Sequence, residues 1–299
     1  MKLAEEVVLS AGGLQATLVP RFGAHVRQFS AAGRELLAQA GRRTDEAATS
    51  RDFVASNMGG LDDCLPTVTP VDDFGGSPVV SHGEVWYRPA EVEVLSENVV
   101  VASIRGECVD YRLERSFRLT PDGLTVEYEL DNPRDQDLRV LWAAHPLFAP
   151  SPGCFLTLPR GRWSVYSAST PEFGVSLTAP STRIDGQVVD LSRWEDLPTG
   201  TYAKLFVLWP ESEDAKLTHP RWDLRITIRH TDAPTDCYLG LWLNRGGFPP
   251  QAPLSHIAIE PTFGSTDDLS LAIHDRSCLT VPAGQRATWR VAYDVSSVS

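Results

Sequence analysis

Two ionisable residues lying more than a hundred positions apart are each followed directly by a proline: His145 in Leu141-Trp142-Ala143-Ala144-His145-Pro146, and Glu260 in Ile257-Ala258-Ile259-Glu260-Pro261. An imidazole titrates near neutral pH and a carboxylate is ionised there, so the pair supplies one group that gives a proton and one that takes it. That is the minimum equipment for acid/base chemistry on a bound polar molecule. Proline biases the residue before it toward extended backbone and contributes no N–H to a ladder. Both residues are therefore expected at the ends of strands, with pairing stopping there.

A third cluster reads Gly59-Gly60-Leu61-Asp62-Asp63-Cys64-Leu65-Pro66, followed by Ser81-His82-Gly83-Glu84-Val85-Trp86-Tyr87-Arg88-Pro89. Paired glycines let a backbone approach a ligand closely, and Gly83 leaves the His82 imidazole little shielded. In an extended segment His82, Glu84 and Trp86 share one face, an aromatic platform beside polar groups. Such a surface suits a sugar, whose ring carries C–H patches and a belt of hydroxyls. Trp242 is a second candidate for stacking on such a ring. The bland alternatives are a core histidine at position 145, core tryptophans at 86 and 242, and turn-capping roles for Asp62 and Asp63. His256 shares a strand face with Glu260 but lies two alternations away and is placed outside the site. His25, His219, His230 and His274 are read as surface or structural.

The elements that must hold these residues are strands. Leu124, Val126, Tyr128 and Leu130 alternate with Thr125, Glu127 and Glu129, the pattern of a strand with one wet face, and Leu224 to Arg229 repeats it. Pro121-Asp122-Gly123 marks a hairpin between Tyr111–Leu119 and the Leu124 strand. Further strands are expected at Leu14 to Val19, Val92 to Ile104, Lys204 to Trp209, Tyr238 to Leu243 and Thr288 to Val295. Helix is expected only near Thr44 to Val54 and Ser192 to Leu197. The Pro/Gly-rich zones Thr69 to Pro78 and Gly246 to Pro253 are read as loops at the rim of a site. The fold class is all-β, with large antiparallel sheets and few short helices.

With 299 residues, 42% of them hydrophobic, the chain can bury one large core, and a single domain over 1–299 is expected. A net charge of -12 without any basic run argues against nucleic acid. The acidic start lacks the pattern of a secretory signal, and no apolar run is long enough to span a membrane. Five well-spaced cysteines without a CxxC pair fit reduced thiols, so a cytoplasmic protein, monomer or homodimer, is expected.

Taken in order, Gly23-Ala24-His25, Gly33-Arg34-Glu35-Leu36-Leu37, Gly59-Gly60, His82-Gly83, His145-Pro146-Leu147-Phe148, Asn244-Arg245-Gly246-Gly247 and Glu260-Pro261 resemble the aldose 1-epimerase (galactose mutarotase-like) superfamily over roughly residues 14 to 290. The resemblance implies a β-supersandwich with a sugar bound in an open cleft on one sheet face. It also implies interconversion of α and β anomers without a cofactor. Glu260 would take the proton of the anomeric hydroxyl, His145 would give one to the ring oxygen, and His82 would hold or polarise that side. The family's Asn-His followed by Ser-Tyr-Phe is here Ala144-His145-Pro146-Leu147-Phe148, and Lys204 stands on the strand where the family carries a sugar-binding aspartate. Asp62, Asp63, Arg88 and Asn244 are the candidates to supply substrate contacts. Two other classes stay open: a metal site built from His82, His145 and Glu260 or Glu84, and a sugar-binding module without turnover.

Overall fold

In a computed structural model of the protein the described residues are 6–39, 41, 43–56, 59–169, 176–177, 181–184 and 187–298. Two large antiparallel sheets dominate them. The eleven-stranded sheet runs in the order Val7–Ala11, Leu14–Val19, His25–Ala31, Gly60–Cys64, Trp142–Phe148, Leu254–Phe263, Tyr238–Phe248, Thr201–Leu208, Trp163–Ala168 and Ser176–Leu177, with Arg34–Glu35 paired to His25–Ala31. The eight-stranded sheet runs Phe155–Thr157, Ala215–His219, Leu224–Thr231, Arg286–Ser297, Gly123–Asp131, Arg112–Thr120, Val99–Arg105 and Glu91–Ser96. No helix of the described residues is long and apolar enough to cross a membrane.

The core lies between the two sheets, and the two-residue period assigns every side chain to it or away from it. Leu124, Val126, Tyr128 and Leu130 are buried in one core cluster with Ile257, Ile259 and Phe263 of the opposite sheet. Burying each large apolar side chain of this kind stabilises by about 1.5–3 kcal/mol. Trp142, Ala144 and Phe148 turn into the same core, whereas Ala143 and Leu147 of that strand pack on its other face. His145 belongs to that outer face. Glu260 does too, because Ile257 and Ile259 point inward.

The expected strands form, with four corrections. Pro146 and Pro261 do not end their strands, which continue to Phe148 and Phe263. They interrupt the ladder instead: pairs Trp142↔Phe263 and Ala143↔Thr262 precede a gap, and Leu147↔Ala258 and Phe148↔Ile257 follow it in unchanged register. Within the gap His145 stands opposite Glu260. Two missing N–H groups thus open the sheet where the two side chains face each other. Val92 to Ile104 is two strands with a turn between them. The helices at the expected places shrink to Asp45–Ser50 and a 3-10 turn at Trp194–Asp196. A helix at Leu269–His274 was not expected; Asp268 starts it by accepting the Leu271 N–H at 3.0 Å.

Candidate active site

On the outer face of the larger sheet, register builds two adjacent rows. Asp62, His145, Glu260 and Gly240 form the first, since His145 pairs with Asp62 and Glu260 with Gly240. Leu147, Ala258, Trp242 and Lys204 form the second. The rows floor a cavity of about 220 Å³ that His82, His145, Lys204, Trp242, His256, Glu260 and Asp267 line. Its aromatic wall is Trp242 with Tyr202 at 5.0 Å and Phe248 at 6.0 Å between ring centroids. On the other side His82 stacks on Phe53 at 3.8 Å and meets the His145 ring edge-on at 5.1 Å. A larger groove of about 390 Å³ on the outside of the eight-stranded sheet is lined by Glu114, Glu127, Glu129 and Arg290. Its charges pair across strands in the manner of a solvated face, as Arg290 does with Glu127 at 2.9 Å, and it gathers no acid/base pair.

His145 Nε2 lies 4.0 Å from Glu260 Oε1. The other oxygen of Glu260 accepts a hydrogen bond from the Lys204 ammonium, whose Nζ is also 3.9 Å from Asp267 Oδ1. Glu260 Oε1 and His145 Nδ1 are buried without a protein hydrogen-bond partner. Burial pushes the His145 imidazole down to about 4, and the Lys204 charge adds to the effect. His82 is driven well below its ordinary range by burial and then by His145. Burial raises the Glu260 carboxyl against the pull of Lys204, and raises Asp267 to about 6. Burial works against the Lys204 ammonium, but Asp267 and Glu260 outweigh it and its pKa ends above the ordinary value.

The sequence-predicted residues divide. His145, His82, Glu260 and Trp242 meet at the cavity. Asp62 lies beside His145 in the sheet but is engaged by the Arg43 guanidinium, its Oδ1 at 2.7 Å from Nη1. Asp63, one residue on, necessarily points the other way and bonds Arg115 and Trp142 between the sheets. Trp86 is buried behind Phe53 and donates its indole N–H to the Ser81 carbonyl at 3.2 Å. Asn244 braces the Gly247-Phe248 turn, its side chain donating to the Phe248 carbonyl and accepting both N–H groups. Arg88 bonds Glu107 away from the cavity lining. His82, Glu84 and Trp86 share no face, because His82 has a left-handed backbone (φ 64) and Val85–Tyr87 is a 3-10 turn. Glu84 instead accepts the Glu107 N–H at 3.0 Å. Among the described residues no three His, Cys, Asp or Glu side chains are arranged to hold a metal ion. Rim positions come from both Pro/Gly-rich zones, through Thr69 and Phe248.

Lys204, Asp267, Tyr202, Phe53 and His256 complete the site beyond the expected set. His256 was readable: it shares the Glu260 face, and its Nε2 accepts the Trp242 indole N–H at 2.7 Å. Burial holds its imidazole down to about 3. Free in the unfolded chain it titrates near 6.5, so as pH falls from about 6.5 to 3 the unfolded state takes up its proton first and native stability is lost. In His256→Gln that loss disappears. Unfolding free energies of variant and wild type, measured by urea at stepped pH, are expected to shift in the variant's favour by about 1.4 kcal/mol per unit between pH 6 and 4. A constant difference would contradict the buried neutral imidazole.

Two large antiparallel sheets with a cavity on the outer face of the larger one make a β-supersandwich, the fold of the galactose mutarotase-like proteins it resembles. The solved structures it resembles span nearly its whole length. The Slr1438 protein of Synechocystis sp. PCC 6803 has a TM-score of 0.72 at 19% identity over 98% of this chain and 96% of its own. A provisionally assigned aldose 1-epimerase of Escherichia coli K12 gives 0.71 at 16% identity, over 98% and 99%. A galactose mutarotase-like protein of Lactobacillus casei ATCC 334 gives 0.63 at 19% identity, over 97% and 100%. No family sequence model and no curated protein sequence matches the chain.

Proposed function

We propose that the protein is an aldose 1-epimerase, a cytoplasmic isomerase that interconverts the α and β anomers of a monosaccharide within one domain. The observation that carries this reading is the facing pair His145 Nε2 and Glu260 Oε1, 4.0 Å apart on an aromatic-walled cavity floor. A pyranose entering there brings its anomeric hydroxyl to Glu260 Oε1 and its ring oxygen to His145. The pair works with one proton. In the imidazolium–carboxylate form Glu260 removes the hydroxyl proton, the C1–ring oxygen bond breaks, and His145 protonates the released oxygen. Imidazole and carboxylic acid remain beside an open-chain aldehyde, and after rotation about C1–C2 the reverse transfers close the ring on the other face. These steps need no cofactor. His82, held by Phe53, directs its ring at His145 and the ring-oxygen side.

A volume of about 220 Å³ falls below the roughly 300–1,000 Å³ of drug-sized sites and suits one sugar ring. Trp242 and Tyr202 offer their faces to its C–H patches. Fresh α-D-glucose, α-D-galactose and related aldoses, followed by polarimetry or NMR exchange, are expected to reach anomeric equilibrium faster with the protein than in buffer for at least one sugar. Trp242→Ala is expected to raise KM for that sugar about 3- to 10-fold and to change kcat less, from the loss of about 0.5–1.5 kcal/mol of stacking. Unchanged equilibration for every sugar defeats the enzyme reading. The lowered pKa of His145, which burial leaves neutral at pH 7, favours a competing one, a sugar-binding protein without turnover, and sugar binding without exchange would establish it.

A further inference from the structure

Lys204 and Glu260 are not on neighbouring strands. Thr201–Leu208 and Leu254–Phe263 flank Tyr238–Phe248, so their backbones lie about 9.6 Å apart, two strand spacings. The lysine side chain crosses the intervening strand diagonally, and the residue it crosses is Gly240, the register partner of Glu260. A Cβ at Gly240 would stand 3.2 Å from Lys204 Nζ and 3.4 Å from Glu260 Oε2. Gly240 does not have a positive φ. The glycine is therefore explained by the passage of the ammonium over it and by the Phe206 ring, whose Cε1 would lie 3.3 Å from that Cβ, rather than by a turn. The outcome is a carboxylate with one oxygen tied down and the other, Oε1, bare and aimed at His145.

We propose that Lys204, reaching past Gly240, is a positioning residue that takes Glu260 Oε2 and keeps the carboxylate charged with Oε1 dedicated to proton transfer. This rests on the acid/base reading above for its catalytic meaning, although the contact can be tested without it. It gives Lys204 a role other than that of the aspartate it stands in for, since the ammonium is committed to protein carboxylates. The other titratable groups around Glu260 on the outer face are Asp267 from the turn before Leu269, and His145 and Cys64 from the strands on one side, while Tyr293 of the opposite sheet lies behind the strand on the core side. Among these named groups only Lys204 is a permanent cation.

The test is a pH titration of the Glu260 carboxyl in protein labelled with carboxyl-¹³C glutamate, followed by NMR or difference infrared spectroscopy and assigned by loss of the signal in Glu260→Gln. In Lys204→Met the midpoint is expected to rise by about 1–3 units. Lys204→Arg, which preserves the charge, is expected to return most of that shift. At pH 7 kcat of Lys204→Met is expected to fall about 10- to 100-fold with KM changed much less, and to recover as pH is raised through the new midpoint. An unmoved midpoint in Lys204→Met overturns the proposal. Should that variant not fold, the titrations of wild type and Gly240→Val decide together: a wild-type midpoint above 7, or a midpoint that Gly240→Val leaves unmoved, overturns it, and a carboxylate at pH 7 whose midpoint Gly240→Val displaces upward supports it. A shifted midpoint in a protein that equilibrates no aldose upholds the Lys204 assignment and defeats the epimerase reading. An active wild type with an unmoved midpoint does the reverse.

Discussion

Glu260→Gln is expected to lower kcat/KM for anomer exchange by about 10²- to 10⁴-fold, the range for removing a positioned acid or base. Glutamine keeps the shape of the side chain, and its carbonyl oxygen still accepts the Lys204 hydrogen bond, but it takes no proton from a hydroxyl. The loss should appear in kcat, with sugar affinity by calorimetry within a few-fold of wild type, because the group acts on the breaking bond. The neighbouring carboxyl makes the experiment discriminating. Asp267 lies 3.9 Å from Lys204 and is pushed up to about 6 by burial, so it can accept a proton in its own right. Should Glu260→Gln retain more than a tenth of wild-type activity, the acceptor is Asp267 or another group, and the facing-pair mechanism fails.

Asp63→Ala is expected to cost about 3–5 kcal/mol of stability, the range for stranding one member of a buried ion pair. Asp63 accepts from Arg115 Nη1 at 2.8 Å and from the Trp142 indole at 3.1 Å, and both charged side chains are 1% exposed. Arg115 comes from the opposite sheet and also holds the Gly23 carbonyl, so the pair ties the two layers through an apolar interior. Alanine leaves a guanidinium there with neither water nor counter-ion. The double variant Asp63→Leu/Arg115→Met removes both charges and is expected to regain most of the loss. Chemical denaturation of the three proteins measures both effects. If Asp63→Ala unfolds at the wild-type midpoint and loses sugar binding instead, Asp63 is a ligand and the structural assignment is wrong.

Much of the architecture was legible because alternation is a local property. The wet and dry faces of Leu124–Leu130 are visible in seven letters, and the sheets follow from repeating that pattern. The convergence of His145, His82 and Glu260 was legible only from the order of motifs, since no local rule brings strands so distant in sequence together. What a single segment cannot show is direction across an unseen neighbour. Asp62 and Asp63 look equivalent as a pair, and only the register of Gly60–Cys64 against Trp142–Phe148 sends one toward the cleft and the other into the core. Lys204 looked like a departure because its partner stands two strands away. The prolines misled for a related reason: a missing N–H ends a ladder in isolation, whereas a strand flanked on both sides tolerates a local gap.

The period-two division of these strands has a bearing on how such a protein changes over time. Residues 145 and 147 line the cavity, while 142, 144 and 148 hold the layers together, and the two sets interleave without sharing a member. Drift in one set leaves the other untouched. A lineage can therefore rewrite its chemistry or lose it altogether, and the scaffold will persist unaltered beneath.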